Sequence, residues 1–127
     1  MGIIGIGKTK EKSYEEAAKA TFNLIVDVKK VEPKIKICVE CTAEDDDDLL
    51  VEWVNRLLKE YNMGKIVFSK FKVERIKGLR LFGCAEGEKL DKKKHGFRQH
   101  VPRATHEFSA IGKDKINFRA KLSVELR

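Results

Sequence analysis

Hydrophobic positions recur at helical spacing in two stretches of this chain. Apolar residues three and four apart predict one amphipathic helix at about 14–27 and a second over residues 49–61. Ser13 and Glu16 form a capping box for the first helix, and Gly64 is a suitable C-terminal cap for the second. We therefore expect two helices that each bury one face.

Elsewhere, apolar positions mostly alternate with polar ones, as in half-buried strands. Residues 2–7 are rich in isoleucine, and residues 35–39 alternate between isoleucine or valine and polar side chains. Residues 65–76, "KIVFSKFKVERI", also alternate, with a slip of phase near Ser69. That slip predicts a β-bulge or a break in the strand.

The rest of the chain adds three more strands. "GLRLFGCAEG" is typical of a strand, "EKLDKKKHG" of a polar loop, and the last two strands are joined by the turn "GKD". Pro102 falls in the strand before that turn, and it indicates that part of this strand is an edge or a bend. The order β-α-β-α-β-β-β-β indicates one α+β domain over residues 1–127, with two helices packed on one twisted, largely antiparallel sheet.

Four consecutive aspartates, Asp45 to Asp48, stand directly before the second helix. Four carboxylates are also a candidate metal site. Negative side chains in the first turn of a helix interact favourably with the helix dipole, by roughly 0.3–1 kcal/mol each. We therefore interpret the run as the capped start of the helix.

The stretch "GIIGIGKT", residues 2–9, matches the P-loop pattern G-x-x-x-x-G-K-[ST]. A P-loop needs a strand before it and a helix directly after it. The match starts at residue 2, and the capped helix is expected only from Ser13. β-branched residues also disfavour the positive φ angles of a tight loop. The pattern therefore favours a strand that ends in a turn, and a small NTPase is the disfavoured alternative.

Charge is distributed unevenly between the two halves of the sequence. The formal net charge is +7, with 10 basic and 13 acidic side chains in residues 1–64 but 17 and 7 in residues 65–127. Such asymmetry points to a polyanionic partner or an acidic protein surface, or simply to a lysine-rich exterior. No apolar run approaches the ~20 residues of a membrane span, and no signal peptide is recognisable, so we expect a cytoplasmic protein.

The three cysteines do not suggest a disulfide framework. Cys38 and Cys41 form a C-x-x-C in a predicted strand, where side chains three apart point to opposite faces, and Cys84 belongs to another strand. We expect ordinary strand cysteines. A redox role would need a bend at residues 39 and 40.

Two carboxylates are unusually placed. Asp27 is expected at the C-terminus of the first helix, where a negative charge is unfavourable and a bound cation would explain it. A solvated side chain is the alternative. Glu125, near the end of the last strand, is equally ambiguous by itself.

The three histidines, His95, His100 and His106, all lie in the basic half of the sequence. Three roles are open for them: metal ligands, catalytic groups, or surface residues beside a site for a polyanion.

Several segments occur in the order and spacing of a known family. They are "SYEEAAKATFNLIVDVKKVEP", "LLVEWVNRLLKEYNMGKIVFSKFKVE" and "GEKLDKKKH", followed by the weaker "VPRATH". Over nearly its whole length the chain resembles the archeases, small protein partners of RtcB-type tRNA-splicing ligases. The resemblance implies an accessory protein and not an enzyme. Archeases promote guanylylation of the ligase with GTP and its multiple turnover in tRNA splicing, and this chain would meet tRNA through the ligase.

The resemblance also implies a divalent-metal site. Its acidic ligands lie near the N-terminus, after the first helix, and at the end of the last strand. The second falls on Asp27 and the third on Glu125, where the family usually has Asp, and the ion would be Ca²⁺ or Mg²⁺. The first belongs to an "HTAD" segment before the first strand, whereas this sequence begins at Met1. We expect an incomplete site with weaker metal binding, and a gene whose start lies further upstream, which the preceding codons would test.

The resemblance places contacts with the ligase in residues 87–106. The residues assigned to the partner are Glu88, Lys89, His95, Arg103 and His106. The family usually has Val-Lys-Ala where this chain has Val101-Pro102-Arg103, and Arg103 would supply the positive charge of that lysine. The remaining alternative is a basic RNA-binding domain that acts without a ligase. Few aromatic residues are available for stacking on bases, which speaks mildly against it.

Overall fold

The structure, a computed structural model, describes residues 1–105 and 110–127. It contains both predicted helices. Helix α1 spans Lys10–Ile25 and helix α2 spans Asp46–Gly64. A 3₁₀ turn, Val28–Lys30, follows α1, and one helical turn, α3, covers Lys92–His95. The strands are β1 (Gly2–Gly7), β2 (Ile35–Thr42), β3 (Ile66–Lys77), β4 (Arg80–Lys89), β5 (Ala104–Lys113) and β6 (Phe118–Val124).

The strands form two antiparallel sheets, of order β1-β6-β5 and β2-β4-β3. Helix α1 contacts β1 and β6 of the first sheet and β3 of the second, while α2 contacts β5 of the first and β2 and β4 of the second. The helices therefore lie between the two sheets. The α+β class and the antiparallel pairing are confirmed, but the single sheet is wrong, because alternation along a strand does not specify the strand's partner.

Helix α1 begins four residues earlier than the sequence predicts. Thr9 is its N-cap, and its side chain accepts from the backbone N–H of Lys12. Ser13 is buried inside the first turns and donates to the carbonyl of Lys10. The capping box of Ser13 and Glu16 is therefore wrong.

The stretch "GIIGIGKT" is a strand followed directly by that helix. The expectation that no helix follows Thr9 was wrong, but the glycines of the pattern lie in β1, paired with β6. A Cβ on Gly5 would lie 2.2 Å from the carbonyl oxygen of Ser13, and one on Gly7 would lie 2.5 Å from Cβ of Lys12. The glycines therefore let α1 pack directly on β1, and they form no phosphate-binding loop.

Helix α2 begins as the sequence predicts and ends one residue later. Asp45 is the N-cap and its carboxylate accepts from the N–H of Asp48. The C-cap is Lys65, in the left-handed region with φ of 55°, so the cap is not Gly64. The carboxylate of Asp47 accepts from the N–H of Ile111, which ties the start of α2 to β5.

The bulge in β3 is confirmed by a register shift between Phe68 and Lys70. A second shift lies between Val73 and Arg75. There the buried carboxylate of Glu15, on α1, accepts from the N–H of Val73 at 2.9 Å. A side chain of α1 therefore satisfies a backbone donor beside the second bulge.

Cys38 and Cys84 form a disulfide between β2 and β4. The two residues are direct partners in the antiparallel register, although 46 residues separate them in sequence. The expectation of three ordinary cysteines was therefore wrong for this pair. Cys41 is a free, buried cysteine, and burial raises the pKa of its thiol to about 11.

The polar stretch "EKLDKKKHG" is more ordered than a loop. It contains the end of β4 and the turn α3, whose N-cap Asp91 accepts from the N–H groups of Lys93 and Lys94. Residues 97–103 precede β5 and do not belong to the strand, consistent with the effect expected of Pro102.

Side chains from both helices and both sheets form one buried cluster. Trp53 is fully buried, donates to the carbonyl of Tyr14, and packs against Gly83, where a Cβ would lie 2.8 Å from the ring. The indole thus connects the two helices and one sheet. Within the described residues, no helix has the length and apolar character needed to cross a membrane.

Candidate functional site

Residues 90–103, here called the connecting segment, run from β4 to β5 past the C-terminal ends of both helices. Arg98 donates from its backbone N–H to the carbonyl of Ile25 and from Nη1 to that of Asn23, at the end of α1. At the end of α2, Lys89 donates from Nζ to the carbonyl of Gly64. These cations complement the negative ends of the helix dipoles, so part of the basic charge here is structural.

A single carboxylate, that of Glu88, organises the start of this segment. It accepts from the N–H of Glu32 at 2.7 Å, from Nε2 of His95 at 3.0 Å and from Nζ of Lys94 at 3.0 Å. Lys94 also bonds Glu32 at 2.8 Å. The network joins β4, the turn α3 and the chain after the 3₁₀ turn.

The hydrogen bonds of His95 define which ring nitrogen carries the proton. Its Nδ1 accepts from the N–H of Asp91 at 3.0 Å, so Nδ1 carries no proton. The proton is therefore on Nε2, which donates to Glu88. The ring is fully buried, and both of its nitrogens are hydrogen-bonded.

This environment strongly favours the ionised form of Glu88. The N–H of Glu32, the ring of His95 and the ammonium of Lys94 together lower the pKa of Glu88 from 4.5 to about 2, against a smaller opposing effect of burial. The same ion pairs lower the pKa of Glu32 and raise the pKa of Lys94. The carboxylate of Glu88 is therefore ionised at neutral pH, and the ammonium of Lys94 compensates its charge within the site.

The five residues assigned to a partner occupy different environments. Glu88 and His95 are 8% and 0% exposed. Their side chains hold the segment in place and are not presented to a partner, which corrects the expected contact role for these two. Lys89 and Arg103 are exposed. His106 lies outside the described residues.

Two asparagines of α2 fix the end of the connecting segment. Asn55 donates to the carbonyl of Ala104 and accepts from its N–H, at 3.0 and 2.8 Å. Asn62 donates to the carbonyl of Pro102 at 2.7 Å. Sequence reasoning missed both residues. The sequence feature that could have indicated them is the spacing of seven residues, about two helical turns, between two asparagines on a helix of mostly apolar and charged residues.

Asp27 does not end α1. The helix ends at Ile25, and Asp27 caps the following 3₁₀ turn, its carboxylate accepting from the N–H of Lys29 at 3.2 Å. Its own N–H donates to the carbonyl of His95. The capping role explains the carboxylate without a cation.

Glu125 follows β6 and pairs with Arg103. The Nη2 of Arg103 lies 2.8 Å from Oε1 of Glu125, and the N–H of Glu125 donates to the carbonyl of Arg103 at 2.9 Å. The guanidinium lowers the pKa of Glu125, and Arg127 adds to the effect. The two expected metal ligands are therefore each engaged by other groups of the chain.

His100 lies in a basic region of the connecting segment. Its Nδ1 is 2.7 Å from the hydroxyl of Tyr61. Burial lowers the pKa of His100, and the charges of Lys65, Arg127 and Lys92 lower it further. A partly exposed imidazole near the C-terminal end of α2 therefore lies in the field of three positive charges.

Comparison with known proteins identifies the family. The family model described as "Archease protein family (MTH1598/TM1083)" matches residues 1–124. The protein archease of Sulfolobus acidocaldarius is 32% identical over 127 residues, covering 99% of this chain and 91% of that protein. The chain belongs to the archease family. The archease of Pyrococcus furiosus is 38% identical over 109 residues, or 84% of this chain and 77% of that one.

Solved archease-like structures share the fold. The solution structure of Methanobacterium thermoautotrophicum protein 1598 has a TM-score of 0.82 at 33% identity, covering 98% of this chain and 91% of that one. The crystal structure of a Thermotoga maritima protein described as "an archease, possible chaperone" has a TM-score of 0.63, with coverage of 98% and 89%. At 12% identity the second likeness supports the fold alone.

The residues of this archease that the structure describes do not fit the metal site that the family resemblance implies. Among them, no three His, Cys, Asp or Glu side chains are grouped as a metal ion would require. Asp27 caps a turn beside Lys29, and Glu125 is paired with Arg103. A Ca²⁺ ion takes 6–8 oxygen ligands, and Mg²⁺ takes an octahedral set of ligands. Asp27 and Glu125 each offer a single carboxylate that other groups of the chain already engage.

Proposed function

We propose that this archease is an accessory protein that activates an RtcB-type RNA ligase. It promotes guanylylation of the ligase with GTP and supports multiple turnover in tRNA splicing, and it meets tRNA through the ligase. The observation that carries the proposal is family membership, since the family model matches residues 1–124.

We further propose that the connecting segment is the surface that faces the ligase. Internal hydrogen bonds fix it at Glu88 and His95 at one end and through Asn62 at the other. Its exposed side chains are largely basic and include Lys93 and Arg103. A rigid, positively charged segment is suited to an acidic protein surface or to the phosphates of a bound nucleotide.

Guanylate transfer to the ligase tests the function. An RtcB-type ligase is incubated with GTP labelled in its α-phosphate, with and without this archease, and the ligase–guanylate adduct is followed in time. We expect faster formation of the adduct when the archease is present. An unchanged rate over a range of archease concentrations contradicts the proposal.

Substitutions on the connecting segment test the surface. Lys93→Ala removes an exposed charge there, and Lys89→Ala removes one at the adjoining end of β4, so we expect weaker stimulation at limiting archease. Lys77→Ala is the matched control, because Lys77 is also exposed but lies at the end of β3 that is far from Lys89. Equal effects of all three substitutions would contradict this surface.

A second function is favoured by the cations around His100. The positive charges of Lys65, Lys92 and Arg127 all act on the pKa of His100, and such a set of cations suits the phosphate backbone of RNA without any ligase. This alternative predicts binding of single-stranded RNA by the isolated chain, with affinity that falls steeply as salt rises. Lys92→Ala would weaken it and Lys77→Ala would not. Stimulated guanylylation in the absence of RNA favours the ligase activator instead.

A further inference from the structure

Glu125 is held by Arg103 through two separate contacts. The side chains meet at 2.8 Å, and the backbone N–H of Glu125 donates to the carbonyl of Arg103 at 2.9 Å. The backbone bond fixes the two residues opposite each other, so the guanidinium needs little further ordering to reach the carboxylate. A charge-assisted hydrogen bond of this length satisfies one carboxylate oxygen directly.

The space beside Glu125 has a composition that does not attract a cation. A surface cavity of about 470 Å³ is lined by Met1, Gly2, Thr105, Lys121, Ser123, Val124 and Glu125. Among these residues Glu125 offers the only carboxylate and Lys121 a cation, while Thr105 and Ser123 offer hydroxyl groups. Arg127 adds a further positive charge near the carboxylate. One carboxylate among several cations is a poor donor set for a divalent ion.

The other expected ligand is equally engaged. The carboxylate of Asp27 caps the N–H of Lys29, and the backbone of Asp27 is tied to the carbonyl of His95. The lysine side chains at 29 and 30 are exposed beside it. Both carboxylates therefore already have hydrogen-bonding partners within the chain.

We propose that in this archease the guanidinium of Arg103 takes the place of the divalent cation as the partner of Glu125. The positive charge at the end of β6 is thus covalently part of the chain and is present at any concentration of calcium or magnesium. The inference concerns the isolated chain and does not depend on the ligase proposal.

A calcium titration tests this inference on the isolated chain. Binding of Ca²⁺ to the wild type, to Arg103→Gln and to Glu125→Gln is measured by calorimetry, and in the first two proteins the ¹³C shift of the Glu125 side-chain carboxylate is followed as well. For the wild type we expect a Kd weaker than about 1 mM, beyond the range of ordinary protein calcium sites. In Arg103→Gln the freed carboxylate should bind Ca²⁺ about fivefold more tightly or better, since one opposing charge is gone.

Arg119→Gln is the matched control. Arg119 also pairs with a carboxylate, that of Asp114, at 3.3 Å, on an exposed part of the chain. Its loss should leave calcium affinity at Glu125 unchanged. Wild-type binding tighter than about 1 mM that Glu125→Gln abolishes overturns the inference, as does Arg103→Gln binding no better than Arg119→Gln. A failure of guanylylation would leave this titration unaffected.

Discussion

Glu88 is the residue on which the geometry of the candidate site depends most. Its carboxylate accepts from the backbone of Glu32 and from two side chains of the turn α3, those of Lys94 and His95. A buried charge is tolerated only when hydrogen bonds replace the lost water, and here several do so. The side chain therefore acts by positioning the connecting segment.

Glu88→Ala should destabilise the fold. It leaves the N–H of Glu32 and the buried Nε2 of His95 without an acceptor, and we expect a loss of about 3 kcal/mol in the free energy of unfolding. Urea denaturation measures it. The matched control is Glu86→Ala on the same strand, which should cost about 0.5 kcal/mol or less. Equal losses in the two variants would refute the network's role.

The stability of the fold should also depend on pH through Glu88. Because its pKa is lowered from 4.5 to about 2 on folding, its contribution is complete above about pH 5 and is lost as the pH falls toward 2. Free energies of unfolding from pH 7 to 2 should therefore fall more steeply in the wild type than in Glu88→Gln. Parallel curves for the two proteins would contradict this assignment.

The sequence alone located these residues but not their relation. Glu88 and His95 stood out in a polar stretch, yet nothing in it showed that the two side chains face each other. The turn α3 and its cap at Asp91 bring them together, and a four-residue helix leaves no periodic signal. For the same reason the sequence predicted contact residues where the structure has buried ones.

At the scale of elements, the close packing of β1 against α1 is the feature most sensitive to side-chain volume. Gly5 faces the backbone of α1, where a Cβ would come within 2.3 Å of the nitrogen of Ala17. No rotamer relieves that contact because the obstructing atoms are backbone. Within the stretch that resembled a P-loop, Gly5 is thus a requirement of packing.

Gly5→Ala should therefore push α1 away from β1. We expect a loss of about 3 kcal/mol or more in the free energy of unfolding, read from thermal or urea denaturation. Gly2→Ala, in the same strand, is the control, because a Cβ there meets nothing within 4 Å. If Gly5→Ala proved as stable as Gly2→Ala, the packing explanation would be wrong.

Most helices and strands could be predicted from the sequence, but several of their end residues could not. Apolar spacing gave both helices, and the slip near Ser69 gave the bulge in β3. The start of α1 was missed because Thr9 and Ser13, four residues apart, both suit an N-cap. Strand β1 decides between them, because it ends at Gly7 and Thr9 is the first of the two candidates that the chain reaches.

At the scale of the whole molecule, two sheets enclose two helices, and one disulfide links two distant parts of the chain. The Cys38–Cys84 bond joins β2 to β4 and encloses α2 and β3 in its loop. Strand register between segments so far apart is not encoded locally, so neither the division into two sheets nor this pairing could be deduced from alternation.

Loss of that disulfide should lower stability without changing the fold. For a closed loop of this length, the chain-entropy model gives about 4 kcal/mol. Cys38→Ser should show this loss by calorimetry or urea denaturation in oxidising buffer. A dithiol reductant should destabilise the wild type to a similar degree and leave Cys38→Ser unaffected. Equal stability of the two proteins without reductant would show that the bond contributes nothing.

The most direct test of the account is the number of RNA ligations that each ligase molecule completes. An RtcB-type ligase, held far below its tRNA-half substrates in concentration, is supplied with GTP in the presence or absence of this archease. The account predicts many joined products per ligase with the archease and about one without it. The same low yield in both reactions would contradict an activator of ligase turnover.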